Sequence, residues 1–76
     1  MARRLHVNTA SISNSELLRI AKKCGFSIFH GAKHDKIKTA DGRFVTLIPR
    51  HSTISRSLVK SIIEALNSNG AEITFT

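Results

Sequence analysis

Apolar residues recur at helical spacing in two stretches of the chain. Leu17, Ile20, Ala21 and Cys24 stand at i, i+3, i+4 and i+7, one stripe of a helix, while Arg19, Lys22 and Lys23 fall off that stripe. Ser13-Asn14-Ser15-Glu16 has the form of a capping box, in which a Ser hydroxyl and a Glu carboxylate serve each other's backbone N–H groups, so the helix is predicted to begin there. Gly25 is predicted to stop it, with Lys22 and Lys23 meeting the negative end of the helix dipole. Val59, Ile62, Ile63 and Leu66 repeat the same spacing; Ser55 or Ser57 caps this second helix and Asn69-Gly70 closes it.

Between the helices the period drops to two. Phe26 to His30 alternates and is rich in aromatic and β-branched residues, which predicts a strand, with His30 pointing into or beside the core. Gly31-Ala32-Lys33 connects it to a second run, His34 to Thr39, with His34, Lys36 and Lys38 on one face and Asp35, Ile37 and Thr39 on the other. Asp41-Gly42 predicts a type I′ hairpin turn into a third strand, Phe44 to Ile48, ended by Pro49, which has no N–H for a ladder. The ends read less sharply. Residues 1–12, where Arg3, Arg4 and His6 flank Leu5 and Val7, either pair at a sheet edge or form a basic N-terminal arm; residues 71–76 are a tail or a short fourth strand. The order α-β-β-β-α predicts an α+β fold: a three-stranded antiparallel sheet covered on one face by two helices, its other face left to water or a ligand.

Composition narrows the partners. The chain has 76 residues, twelve Lys plus Arg against five Asp plus Glu, and a formal net charge of +7, so 1–76 is expected to be a single basic domain. The one cysteine, Cys24, rules out an intramolecular disulfide framework and suits a reducing compartment, with the cytoplasm as the expectation. No apolar run reaches the roughly 18 residues of a membrane span, and the opening Met-Ala-Arg-Arg-Leu-His lacks the apolar stretch of a secretory signal. The charge calls for an anionic partner: nucleic acid first, an acidic protein second.

Candidate chemistry is sparse. His30 and His34 have metal-ligand spacing for a helix, but in a strand four residues span roughly 13 Å, so no metal is expected. Cys24 on the apolar stripe reads as a small core hydrophobe, and the isolated glycines form no phosphate loop, so no cofactor is expected. One imidazole among cations remains, in Gly31-Ala32-Lys33-His34-Asp35-Lys36-Ile37-Lys38. Imidazole can take and give a proton near neutral pH, and lysines hold phosphate. That is what a metal-free ribonuclease needs when the 2′-hydroxyl supplies the nucleophile. A solvated surface histidine fits the same spacing.

Ser15-Glu16-Leu17-Leu18, Gly25-Phe26, Gly31 to Ile37, Val45-Thr46-Leu47-Ile48-Pro49-Arg50-His51 and Lys60-Ser61-Ile62-Ile63 together resemble the HicA (YcfA-like) family of toxin messenger-RNA interferases, over roughly residues 13 to 67. The resemblance implies a double-stranded-RNA-binding-domain-like α-β-β-β-α fold. It also implies a motif Gly-Ser-His-His whose first histidine is essential for RNA cleavage, which falls on His34 when the strands are aligned. Lys33, Asp35 and Ile37 depart from the family pattern, standing where a small residue, a second histidine and an aromatic are usual. The implied activity is ribosome- and metal-independent endoribonuclease cleavage with His34 as general base or acid, and the implied protein partner is a HicB-type antitoxin. Lys33, Lys36 and Lys38 would then bind phosphates, while Arg50 and His51 supply either the opposite acid–base partner or a phosphate clamp, or His51 caps the second helix or bonds the backbone. The rival readings are a non-catalytic double-stranded RNA or DNA binder and a module for an acidic protein partner.

Overall fold

The structure is a computed structural model, and it describes residues 5–10 and 12–76. The elements are β1 (Leu5–Val7), α1 (Asn14–Lys23), β2 (Ser27–His30), β3 (His34–Lys38), β4 (Phe44–Pro49), α2 (Arg56–Ser68) and β5 (Ile73–Phe75). Strands β2, β3 and β4 form an antiparallel sheet in that order, and both helices lie against one of its faces. The α+β class and the α-β-β-β-α order read from periodicity are those of the folded chain.

Both helices begin where their caps predict. Ser13 Oγ accepts from Glu16 N–H at 3.3 Å, and Ser55 rather than Ser57 caps α2, accepting from Leu58 N–H at 3.4 Å. The capping box differs in one arm: the Glu16 carboxylate takes its hydrogen bond from the Ser13 hydroxyl, at 3.2 Å. The two predicted stripes meet over the sheet. Leu17 and Ala21 of α1 and Val59, Ile62, Ile63 and Leu66 of α2 are buried against Ile37 and Ile48. Each such Leu or Ile contributes about 1.5–3 kcal/mol through burial.

The β3–β4 connection departs from the type I′ expectation. Gly42 alone takes a positive φ, +91°, whereas type I′ needs it at Asp41 as well. Gly42 N–H instead closes a turn onto the Thr39 carbonyl at 2.9 Å, and Thr39 N–H bonds the Arg43 carbonyl at 2.8 Å. The Thr39 hydroxyl accepts from Arg43 N–H at 3.0 Å and donates to Asp41. These bonds hold the longer loop and leave Asp41 at ordinary φ. A register shift follows between Ile37 and Lys38.

The chain ends build a second, smaller sheet. Of the stretch 1–12, Leu5–Val7 is a strand, and residues 1–4 and 11 lie outside the described residues. Its partner is β5, in parallel, with Leu5 opposite Ile73 and Val7 opposite Phe75. Asn67 of α2 fixes β5 by donating to the Ile73 carbonyl and accepting from its N–H, both at 2.9 Å. Val7 and Ile73 complete the core.

Candidate functional site

Strand alternation sorts the residues of β3 between two environments. Asp35 and Ile37 turn toward the helices and are buried, while His34 and Lys36 are exposed on the opposite face and Lys38 is half-buried there. Cross-strand register widens that open face into rows: Phe29, Lys36 and Leu47 in one, His34 beside Pro49, and Lys38 between Ser27 and Phe44. Phe29 and Phe44 are 51% and 55% exposed, and Lys38 Nζ lies 4.7 Å from the Phe29 ring centroid. Apolar rings interleaved with lysines offer flat surfaces for unstacked bases beside cations for phosphates. Alternation in the sequence places the lysines on this face but gives no sign of its aromatic members, because a Phe in a short strand signals core.

On the helix side of the same hairpin, Asp35 organises a polar knot. Its carboxylate is 1% exposed and every partner converges on it: His30 Nδ1 at 2.8 Å, Arg50 Nη2 at 3.2 Å and Nε at 3.3 Å, and the Asn14 amide at 2.9 Å. Asn14 also donates to the Pro49 carbonyl at 3.0 Å, tying the start of α1 to the end of β4. Burial alone would raise the Asp35 pKa. The hydrogen bonds from Asn14, His30 and Arg50, with the Arg50 charge, outweigh it and hold the carboxyl below its usual range. Asp35 is therefore an ionised acceptor, and His30 Nδ1 must carry the proton that bridges them.

A cleft of about 430 Å³ opens beside this knot, lined by His30, Asp35, Arg50 and His51 together with Asn14 and Ser52. The structure thus brings two of the expected residues, Arg50 and His51, to the helix side of the hairpin, and leaves His34, Lys36 and Lys38 on the open side. Lys33 is exposed in the connecting turn. Arg50 spends part of its guanidinium on Asp35, and the His51 carbonyl accepts from Asn14 N–H at 3.1 Å. His30, expected in or beside the core, stands beside it with its side chain 65% exposed. Its partnership with Asp35 was not read from the sequence, since only the β2–β3 register puts the two opposite one another. Burial pushes the Cys24 thiol pKa up, away from reactivity. Among the described residues no helix is long and apolar enough to cross a membrane.

The two faces meet at the turn between β2 and β3, which carries Lys33 and leads into His34 at the head of β3. Comparison with known proteins bears on this same region. No curated protein and no solved structure matches the chain. The family model described as HicA toxin of bacterial toxin–antitoxin matches residues 15–68, from the first turn of α1 to the last residue of α2. That span takes in α2, α1 apart from Asn14, all three strands of the central sheet, His34, and Asp35 with His30 and Arg50, and it is well over half of the 76 residues. The chain belongs to the HicA toxin family of bacterial toxin–antitoxin systems.

Proposed function

We propose that this toxin is an endoribonuclease that cleaves messenger RNA without ribosome or metal, with His34 as a proton-transfer group and a HicB-type antitoxin as its inhibitor. The observation that carries the reading is the exposed imidazole of His34 at the head of β3, in line with Lys36 and Lys38 on an open sheet face that also presents Phe29. Lys33, Lys36 and Lys38 hold the RNA backbone, and the substrate's own 2′-hydroxyl serves as the nucleophile, so the protein need supply only a base, an acid and positive charge. That oxygen loses its proton to a base as it bonds to phosphorus. The bond from phosphorus to the 5′-oxygen breaks, an acid protonates the departing oxygen, and a 2′,3′-cyclic phosphate and a 5′-hydroxyl end remain.

The test is cleavage of single-stranded RNA by purified protein in excess chelator. His34→Ala is expected to lower the rate by about 10²- to 10⁴-fold while the protein stays folded. Undiminished cleavage by the variant removes His34 from the reaction. Salt-sensitive RNA binding with no product from the wild type would identify a non-catalytic binder instead.

A further inference from the structure

We propose that His30 is the general base of the cleavage reaction, with Asp35 as its positioning residue, and that the cleft beside them receives the attacking 2′-hydroxyl. The proposal rests on the ribonuclease reading above and assigns His34 the acid role. His30 Nδ1 donates to the Asp35 carboxylate, so the neutral ring presents the Nε2 lone pair outward, and Nε2 has no hydrogen-bond partner among the described residues. A carboxylate that fixes the tautomer and stabilises the imidazolium formed on proton uptake is what a histidine base requires. Asp35 is fully buried and tied to Asn14 and Arg50, so it holds one orientation. No carboxylate holds the ring of His51 among the described residues, although it shares the cleft.

The placement also suits the displacement geometry. In-line attack at phosphorus puts the entering and leaving oxygens on opposite sides, so base and acid must approach from opposite directions. His30 and His34 flank the three-residue turn 31–33, and strand alternation sends them to opposite faces of the hairpin. A phosphodiester lying across the hairpin end has His30 on the side of the 2′-hydroxyl and His34 on the side of the 5′-oxygen. His30 Nε2 takes the 2′-hydroxyl proton, and protonated His34 gives one to the 5′-oxygen. The two rings exchange protons with water afterwards, so no other reactant is consumed.

The experiment compares full-length wild type, His30→Gln and His34→Gln on an RNA whose cleavage site is mapped first, synthesised with either oxygen or sulfur as the bridging 5′ atom. A thiolate leaves without an acid. His30→Gln is expected to be about 10²- to 10⁴-fold slower on both substrates, and His34→Gln slow on the oxygen substrate and near wild type on the sulfur one. The wild-type rate should climb with pH on the acid side, and His30→Gln should lose that climb. The charged groups facing His30 are Asp35 from β3, Arg50 and His51 after β4, and Arg19 and Lys22 from α1, and all of them remain in the variant. Asp35→Asn should lower kcat with KM within about twofold, and adding it to His30→Gln should cost little more, because the two act as one unit. Full activity of His30→Gln, sulfur rescue of His30→Gln instead of His34→Gln, or multiplicative losses in the double variant would overturn the assignment. An inactive wild type would take down the ribonuclease reading itself; an inactive His34→Gln beside an unaffected His30→Gln takes down only this inference. His30 is mostly exposed, so its replacement opens no cavity.

Discussion

Gly31 shows how a residue without a side chain sets the geometry of the site. Its N–H bonds the His34 carbonyl at 3.0 Å, and a Cβ placed on it would lie 2.6 Å from that same oxygen. Contact that close is repulsive, and the obstacle is backbone, so the hairpin must open if any side chain is introduced. Gly31→Ala is expected to destabilise the fold by about 1–3 kcal/mol, read from the denaturant midpoint, and to slow RNA cleavage beyond that loss because it separates His30 from His34. An unchanged midpoint would show that the turn gives way freely. Asp35 makes a second residue-scale prediction. Its folded-state pKa is lowered, so its stabilisation is fully present above the unfolded value of about 3.9 and is lost as pH falls through the folded value. Urea midpoints of the wild type should therefore decline below about pH 4, and Asp35→Asn should flatten the part due to this carboxyl. Its partners Arg50 and His30 are 44% and 65% exposed. The Arg50 charge and the His30 ring N–H can rehydrate, so removing Asp35 should cost about 1–3 kcal/mol, below the toll of stranding a fully buried ion.

Each helix carried its own address in the sequence: a stripe at i, i+3, i+4 and i+7 between a serine cap and a glycine. Those signals are local, and α1 and α2 fall where they point. The sheet was legible in outline from alternation, and its basic face from Lys36 and Lys38. For the turn after β3, Asp41-Gly42 alone predicts type I′, whereas the Thr39 hydroxyl and Arg43 decide the outcome. The Asp35 knot escaped notice because it joins β2, β3, the residue after β4 and the first residue of α1, and no periodicity reports such a convergence. At this scale the open face of β2-β3-β4 makes the clearest functional demand. Phe29→Ser should weaken binding of single-stranded RNA by about 1–3 kcal/mol and leave the unfolding midpoint nearly unchanged, since the ring is half exposed. Titration of a fluorescent RNA measures it, and equal affinity would show that bases do not stack on this face.

Over the whole molecule, a net charge of +7 on a slab of 30 × 30 × 16 Å leaves a strong positive field. Long-range attraction of this kind chiefly accelerates encounter, and salt screens it over roughly 8–10 Å. If the antitoxin partner is acidic, its capture should therefore slow as salt rises, with dissociation changing less; stopped-flow mixing reads both rates, and equal changes in the two would speak against steering. The β1–β5 pairing ties together two segments 68 positions apart. Its cross-links include Leu5 N–H to the Glu72 carbonyl at 3.2 Å, Thr76 N–H to the Val7 carbonyl at 3.1 Å and Thr9 N–H to the Thr76 carbonyl at 2.9 Å. The strands run parallel. Tension drawn through Leu5 in one direction and Thr76 in the other would slide them lengthwise, loading all of these hydrogen bonds at once in shear instead of peeling them one by one. The small domain thus closes on itself with a mechanical clasp, weak in any single bond and resistant along the line on which its own ends would be pulled.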